Sequence, residues 1–146
     1  MSINYFGINT EAVNLLLSVK KHVSSIDTNL KALVELRVSQ INGCAYCIDL
    51  HANEARGAGE PQQKIDCLSV WEECGLFSTR EMAALGWAEH VTNISTNTGS
   101  ETKRNELLQH FSEKEAVDLT LIIATMNAMN RMAISFGDKP PKRSAP

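Results

Sequence analysis

The chain has no excess of positive charge, no apolar run long enough to span a bilayer and no strand-like alternation, and each gap removes a class of protein. Lys and Arg number 14 against 17 Asp and Glu, a formal charge of −3. Without a basic stripe to neutralise phosphates, no nucleic-acid partner is expected. A spanning helix needs about 20 apolar residues, so no membrane partner is expected either. The first residues (MSINYFGINTEAVNLLLSVKKH) lack a basic segment ahead of an apolar one and a small-residue cleavage site. No secretion signal is read there, and a cytoplasmic location is the expectation. Cysteines occur only at 44, 47, 67 and 74, too few and too uneven for a disulfide-built secreted domain.

What is present suits one folded domain. The length of 146 residues matches a single unit, and 43% apolar residues with 21% charged suffice for a core. The punctuation predicts a string of helices and an all-α fold. Thr10 precedes a face of Val13, Leu16 and Leu17. Asp27 can cap a second helix carrying Leu30, Leu33, Val34 and Val38, which Asn42-Gly43 interrupts. A third helix starts at Cys44 and stops near Gly57 to Gly59. A fourth begins at Pro61 and runs to Gly75, with Cys67 and Cys74 on one face as packing residues. Ser78 with Glu81, and Ser112 with Glu115, spell capping boxes for two more. The stretch from Ala116 to Ile134 is apolar around most of its circumference, which predicts burial on several sides. Asn127, Asn130 and Arg131 make a polar spot on it, expected at a subunit contact. Residues 93–100 read as a loop, residues 1–137 as the domain and residues 138–146 as a mobile tail.

The segment Asn42-Gly43-Cys44-Ala45-Tyr46-Cys47-Ile48-Asp49-Leu50-His51 concentrates the chemistry. With the cap at Asn42 or Gly43, Cys44 lies in a first helical turn, where free N–H groups and the macrodipole favour a thiolate. At about 100° per residue, Cys44, Cys47 and His51 share a sector of about 60°, so two sulfurs and an imidazole meet on one face. Such a pair can close a small disulfide ring, and a thiolate there attacks peroxides or disulfides. His51, four residues after Cys47, is spaced to exchange a proton with it. The helix start favours Cys44 as the attacking sulfur, whereas proximity to His51 favours Cys47. Zinc held by Cys44, Cys47, His51 and Cys67 or Cys74 is an alternative, although zinc pairs usually sit on turns. Simple packing of the cysteines is another. Haem attachment requires histidine at 48, where isoleucine stands. A thioredoxin-type motif would follow a strand, and here it follows a helix.

Over residues 36–54 (LRVSQINGCAYCIDLHANE), 70–92 (VWEECGLFSTREMAALGWAEHVT) and 123–131 (IATMNAMNR), the sequence resembles the AhpD-like alkylhydroperoxidase branch of the carboxymuconolactone decarboxylase family. The resemblance implies an all-helical domain assembled as a homotrimer or homohexamer. It implies reduction of an organic hydroperoxide, or thiol–disulfide exchange, with a dithiol reductant or a peroxiredoxin as partner and no cofactor. In that likeness Cys47 becomes the sulfenic acid, Cys44 resolves it, and His51 relays protons. Two positions depart from the mycobacterial-type pattern. Ala32 stands where a relay glutamate is expected, leaving Glu35 as the first substitute, Glu81 as the second, and Glu72 and Glu89 as further carboxylates. Tyr46 stands where a histidine separates the cysteines, and tyrosine does not shuttle protons near neutral pH. Arg37 is expected to pair with Glu35 or a buried carboxylate. A redox-sensing module without turnover is the competing function, and a lactone decarboxylase, whose relatives lack the cysteine pair, a remoter one.

Overall fold

The computed structural model describes residues 2–143, and among them every regular element is helical. In chain order these are α1 (Tyr5–Ile8), α2 (Thr10–His22), α3 (Thr28–Asn42), α4 (Ala45–Gly57), α5 (Gln62–Asp66), a 3-10 turn (Leu68–Val70), α6 (Thr79–Thr92), α7 (Ser100–Leu108) and α8 (Glu113–Phe136). The all-α expectation holds. The final three residues of the expected tail lie outside the described part.

α3 is the axis of the fold. Its side chains are buried nearly all round, so it presents two apolar faces instead of one. Leu30, Val34 and Val38 join the larger core, with Val13 of α2 and Leu119, Ile122, Ile123 and Met126 of α8. Ala32, Leu33 and Leu36 join a smaller core with Ala55, Leu68, Trp71, Phe77 and Leu85. Each fully buried leucine contributes about 1.5–3 kcal/mol relative to exposure, and α3 draws on both clusters. Asp27 caps its start, accepting from the Leu30 amide at 2.8 Å.

Both capping boxes form as read. Ser78 and Glu81 open α6, and Ser112 and Glu115 open α8, with reciprocal side-chain and backbone bonds.

The expected fourth helix is corrected. It lasts only from Gln62 to Asp66, after which the chain winds as a 3-10 turn and runs irregularly to Ser78. In 3-10 winding residues three apart eclipse, which sets Leu68 and Trp71 on one side, toward the smaller core. Cys67 and Cys74 therefore share no helix face, and both are half-buried free thiols. The polar spot on α8 is corrected at Asn130. Asn130 is fully buried within the chain, and Asn42 donates to Asn130 Oδ1 at 2.9 Å and to Asn127 Oδ1 at 3.0 Å. Asn130 in turn donates to Ser39 Oγ at 3.1 Å. These bonds satisfy amides that would otherwise be orphaned, and they pin the last turn of α3 against α8. Arg131 alone of the three is exposed.

α8 buries one broad side and leaves Val117, Leu121 and Ile134 exposed on the single chain. The tail is partly tied down: Tyr5 donates to Asp138 at 3.1 Å, and Arg143 pairs with Asp49 at 2.7 Å.

Candidate active site

The site begins where α3 stops. Gly43 adopts a left-handed conformation (φ +68°), which a side chain would strain. Its N–H donates to the Gln40 carbonyl at 3.2 Å, and the Cys44 N–H donates to that of Ser39 at 3.0 Å. This left-handed cap closes α3 and launches α4 at once. With the Asn42 network behind it, the turn holds Cys44 in a fixed place.

Cys44 is the N-cap of α4, so the helix starts at Ala45, one residue later than expected from sequence. Its sulfur accepts the Cys47 amide at 3.3 Å, and the two cysteines are joined as a disulfide, with Cα atoms 5.3 Å apart. Both are buried, at 1% and 3% exposure, yet Cys47 borders a cavity of about 210 Å³ with Tyr46, Leu50, His51 and Met126. Both cysteines are thus screened from bulk water, and Cys47 is the one of the pair that lines the cavity. Tyr5 also lines this cavity. Burial, then its bond to Asp138, pushes its phenol up to about 12, so it stays a neutral hydrogen-bonding group.

His51 lies one turn beyond Cys47 on α4 and borders the same cavity. Its Nδ1 is 2.6 Å from Glu54 Oε2 and 3.5 Å from Glu35 Oε2. With Nδ1 committed to carboxylates, Nε2 is the ring nitrogen left to exchange a proton with sulfur. The hydrogen bond to His51 holds the Glu54 carboxyl below its ordinary range, outweighing the upward push of burial. Glu54 is half exposed, at 50%, so this pair connects a buried imidazole to solvent.

Of the carboxylates named from sequence, Glu35 reaches His51 and Glu81 stays apart. Burial alone would push Glu81 up; the hydrogen bond from Lys64, at 2.5 Å, and its cap on Ser78 together hold it below its ordinary range. Glu81 serves the start of α6. Arg37 pairs with Glu89 at 2.7 Å instead of Glu35, and Trp71 donates to the same Glu89 oxygen at 2.8 Å. Glu35 is met by Lys20 of α2, at 2.5 Å. His90, near the end of α6, is buried, stacks on Trp87 and bonds Ser100 at 2.8 Å. Sequence reading missed Glu54 and Lys20. Glu54 carried a signal, since it stands three residues after His51 on one helix; Lys20 carried none.

Among the described residues no sulfur falls in a grouping of metal-ligand atoms, and Cys44 and Cys47 are bonded to each other. Glu35, His51 and Glu54 do bring ligand-type atoms within 4.8 Å of one another. There the Lys20 ammonium already supplies the positive charge, so the cluster fits an ion-paired proton network better than a zinc cage.

Residues 10–90 match the model of the carboxymuconolactone decarboxylase family. The uncharacterized protein YdfG of Bacillus subtilis is 38% identical over 139 residues, covering 94% of this chain and 95% of its own length. A crystal structure of an Agrobacterium tumefaciens protein of unknown function, described as a putative antioxidant defence protein AhpD, superposes with a TM-score of 0.92. It is 35% identical and is matched over 97% of this chain and 99% of its own. The debrominase Bmp8 shares the fold at a TM-score of 0.82 and 22% identity, over 93% of this chain and 74% of its own.

Proposed function

The chain belongs to the AhpD-like branch of the carboxymuconolactone decarboxylase family, and from that premise we propose that it is a thiol-dependent peroxidase or disulfide oxidoreductase working through Cys44 and Cys47. One observation carries the reading: a buried disulfide at the mouth of a helix borders the same cavity as an imidazole that two carboxylates orient.

In the reduced protein His51 Nε2 takes the Cys47 proton, and Nδ1 shares the resulting charge with Glu54 and Glu35. The Cys47 thiolate attacks the terminal oxygen of an organic hydroperoxide, breaking the O–O bond. The departing alkoxide takes a proton from the imidazolium and leaves as an alcohol, and Cys47 becomes a sulfenic acid. Cys44, held next to it by the left-handed turn, attacks that sulfur; water leaves and the disulfide forms. An external dithiol returns two electrons and two protons. Glu54, its carboxyl held below its ordinary range, stays a carboxylate and keeps Nδ1 of the imidazole oriented through the cycle.

Assembly with further copies of this chain, and a cytoplasmic setting that supplies the dithiol, belong to the same reading. Apolar side chains left exposed on α8 support the first. A coupled assay tests the whole: reduced protein, an organic hydroperoxide and a dithiol-regenerating system should give turnover well above Cys47→Ser. Turnover equal to that background defeats the enzyme reading. A change in assembly mass between reduced and oxidised protein, without turnover, would instead favour the sensing module.

A further inference from the structure

Lys20 has no part in the scheme above, yet it reaches the centre of the site. It lies near the C-terminal end of α2, outside the segment that holds the cysteines. Its ammonium stands 2.5 Å from Glu35 Oε1, and its side chain borders both the cavity over Cys47 and a hollow on the far side of Glu54. Glu35 is 1% exposed, and Oε1 receives no directed hydrogen bond. A carboxylate so placed is costly unless a charge compensates it. Lys20 is the cation paired with it among the described residues. Oε2 of the same group faces His51 Nδ1.

The charged and titratable groups around this cluster come from four elements. α1 gives Tyr5, α2 gives Lys20, α3 gives Lys31 and Glu35, and α4 gives Tyr46, His51 and Glu54. α8 contributes only Met126, Met129 and Ala133 to the cavity wall. One cation therefore stands in direct contact with the buried acid, and that acid is the second one facing the imidazole.

We propose that Lys20 is a positioning residue for the thiol chemistry, holding Glu35 as a carboxylate with one oxygen turned to His51 so that the Cys47 proton leaves more readily. This rests on His51 as acceptor of the Cys47 proton, and not on turnover with any peroxide. Lys20 touches neither sulfur nor substrate in this role; it acts through Glu35. The dependence has a direction. Remove the ammonium and Glu35 is left uncompensated, its charged form is disfavoured, and the imidazolium that forms on proton transfer faces one anion fewer. Cys47 thiolate then forms at higher pH.

The test is the pH dependence of iodoacetamide alkylation at Cys47 in fully reduced protein, read on the Cys47 peptide by mass spectrometry and needing no peroxide. Lys20→Met should move the midpoint upward by about one pH unit, about a tenfold loss of alkylation rate below both midpoints. Lys20→Arg should restore most of it. Glu35→Gln should shift the midpoint in the same sense, and adding Lys20→Met to Glu35→Gln should move it little further. The proposal is overturned if Lys20→Met melts like the parent and leaves the midpoint in place, or if its shift persists undiminished beside Glu35→Gln. Should Lys20→Met not fold, the Glu35→Gln midpoint decides alone, and an unmoved one overturns it. A shifted midpoint in a protein that never turns over peroxide would sink the peroxidase reading and leave this one standing.

Discussion

Two stretches of this chain each hold two cysteines, and the fold treats them differently. Cys44 and Cys47 are buried, joined, and placed where a left-handed turn meets a fresh helix beside an imidazole. Cys67 and Cys74 are half buried and free, on a short irregular stretch whose apolar neighbours Leu68, Trp71 and Phe77 fill the smaller core. What separates the pairs is the backbone between their members. Two residues in a first helical turn bring two sulfurs together, whereas a spacing of seven has no such effect once the helix stops at Asp66.

The sharpest way to break the contrast is to exchange sulfur for oxygen in each pair. Cys47→Ser should abolish peroxide turnover and sulfenate trapping, and Cys44→Ser should stop turnover while leaving a trappable sulfenate. Cys67→Ser and Cys74→Ser should leave the rate within about twofold, a spread of under about 0.5 kcal/mol in barrier. A sulfenate on Cys44 would reverse the roles assigned to the first pair, and loss of turnover in Cys67→Ser would end the distinction between pairs.

Next in size is a core deletion in the second stretch. Leu68 is completely buried, so Leu68→Ala should cost about 2–5 kcal/mol in denaturant unfolding. A loss below about 1 kcal/mol would mean that this stretch does not organise the smaller core. Ser78→Ala, which removes the N-cap of α6 at the end of that stretch, should cost about 1 kcal/mol. Thermal melts would measure it.

The smallest effect belongs to the first stretch and depends on pH. The Glu54 carboxyl is held below its ordinary range by its bond to His51, so the stabilisation it brings is present above the unfolded carboxylate range. It is lost as pH falls through the folded value. Because Glu54 is half exposed, the gain over Glu54→Gln at about pH 7 should be under about 1 kcal/mol, and melts of the two proteins should converge on acidification. Curves that stay parallel down to strongly acidic pH would show that the bond to His51 contributes nothing.

Much of this was written in local sequence. Asp27, Ser78 and Ser112 cap the helices they were expected to cap, Gly43 ends α3, and the shared side of Cys47 and His51 follows from helical period alone. Signals of that kind involve neighbours within four residues. The rest was not legible because it depends on elements that meet only after folding. Nothing near Lys20 indicates that α2 will lie against Glu35, and nothing near Asn130 announces Asn42 and Ser39. α1 and α7 escaped notice for another reason: α1 is a single turn, and α7 is polar with only Leu107 buried, so neither has an apolar stripe to betray it.

One atom in this site serves two masters. The sulfur of Cys44 is both half of the disulfide and the acceptor for the first-turn amide at Cys47, so electrons and backbone protons are read at the same place. A change of oxidation state alters that acceptor, and with it the protection of a main-chain hydrogen at the tip of α4. Deuterium uptake at this one amide would therefore report the redox state of the protein without any label on sulfur.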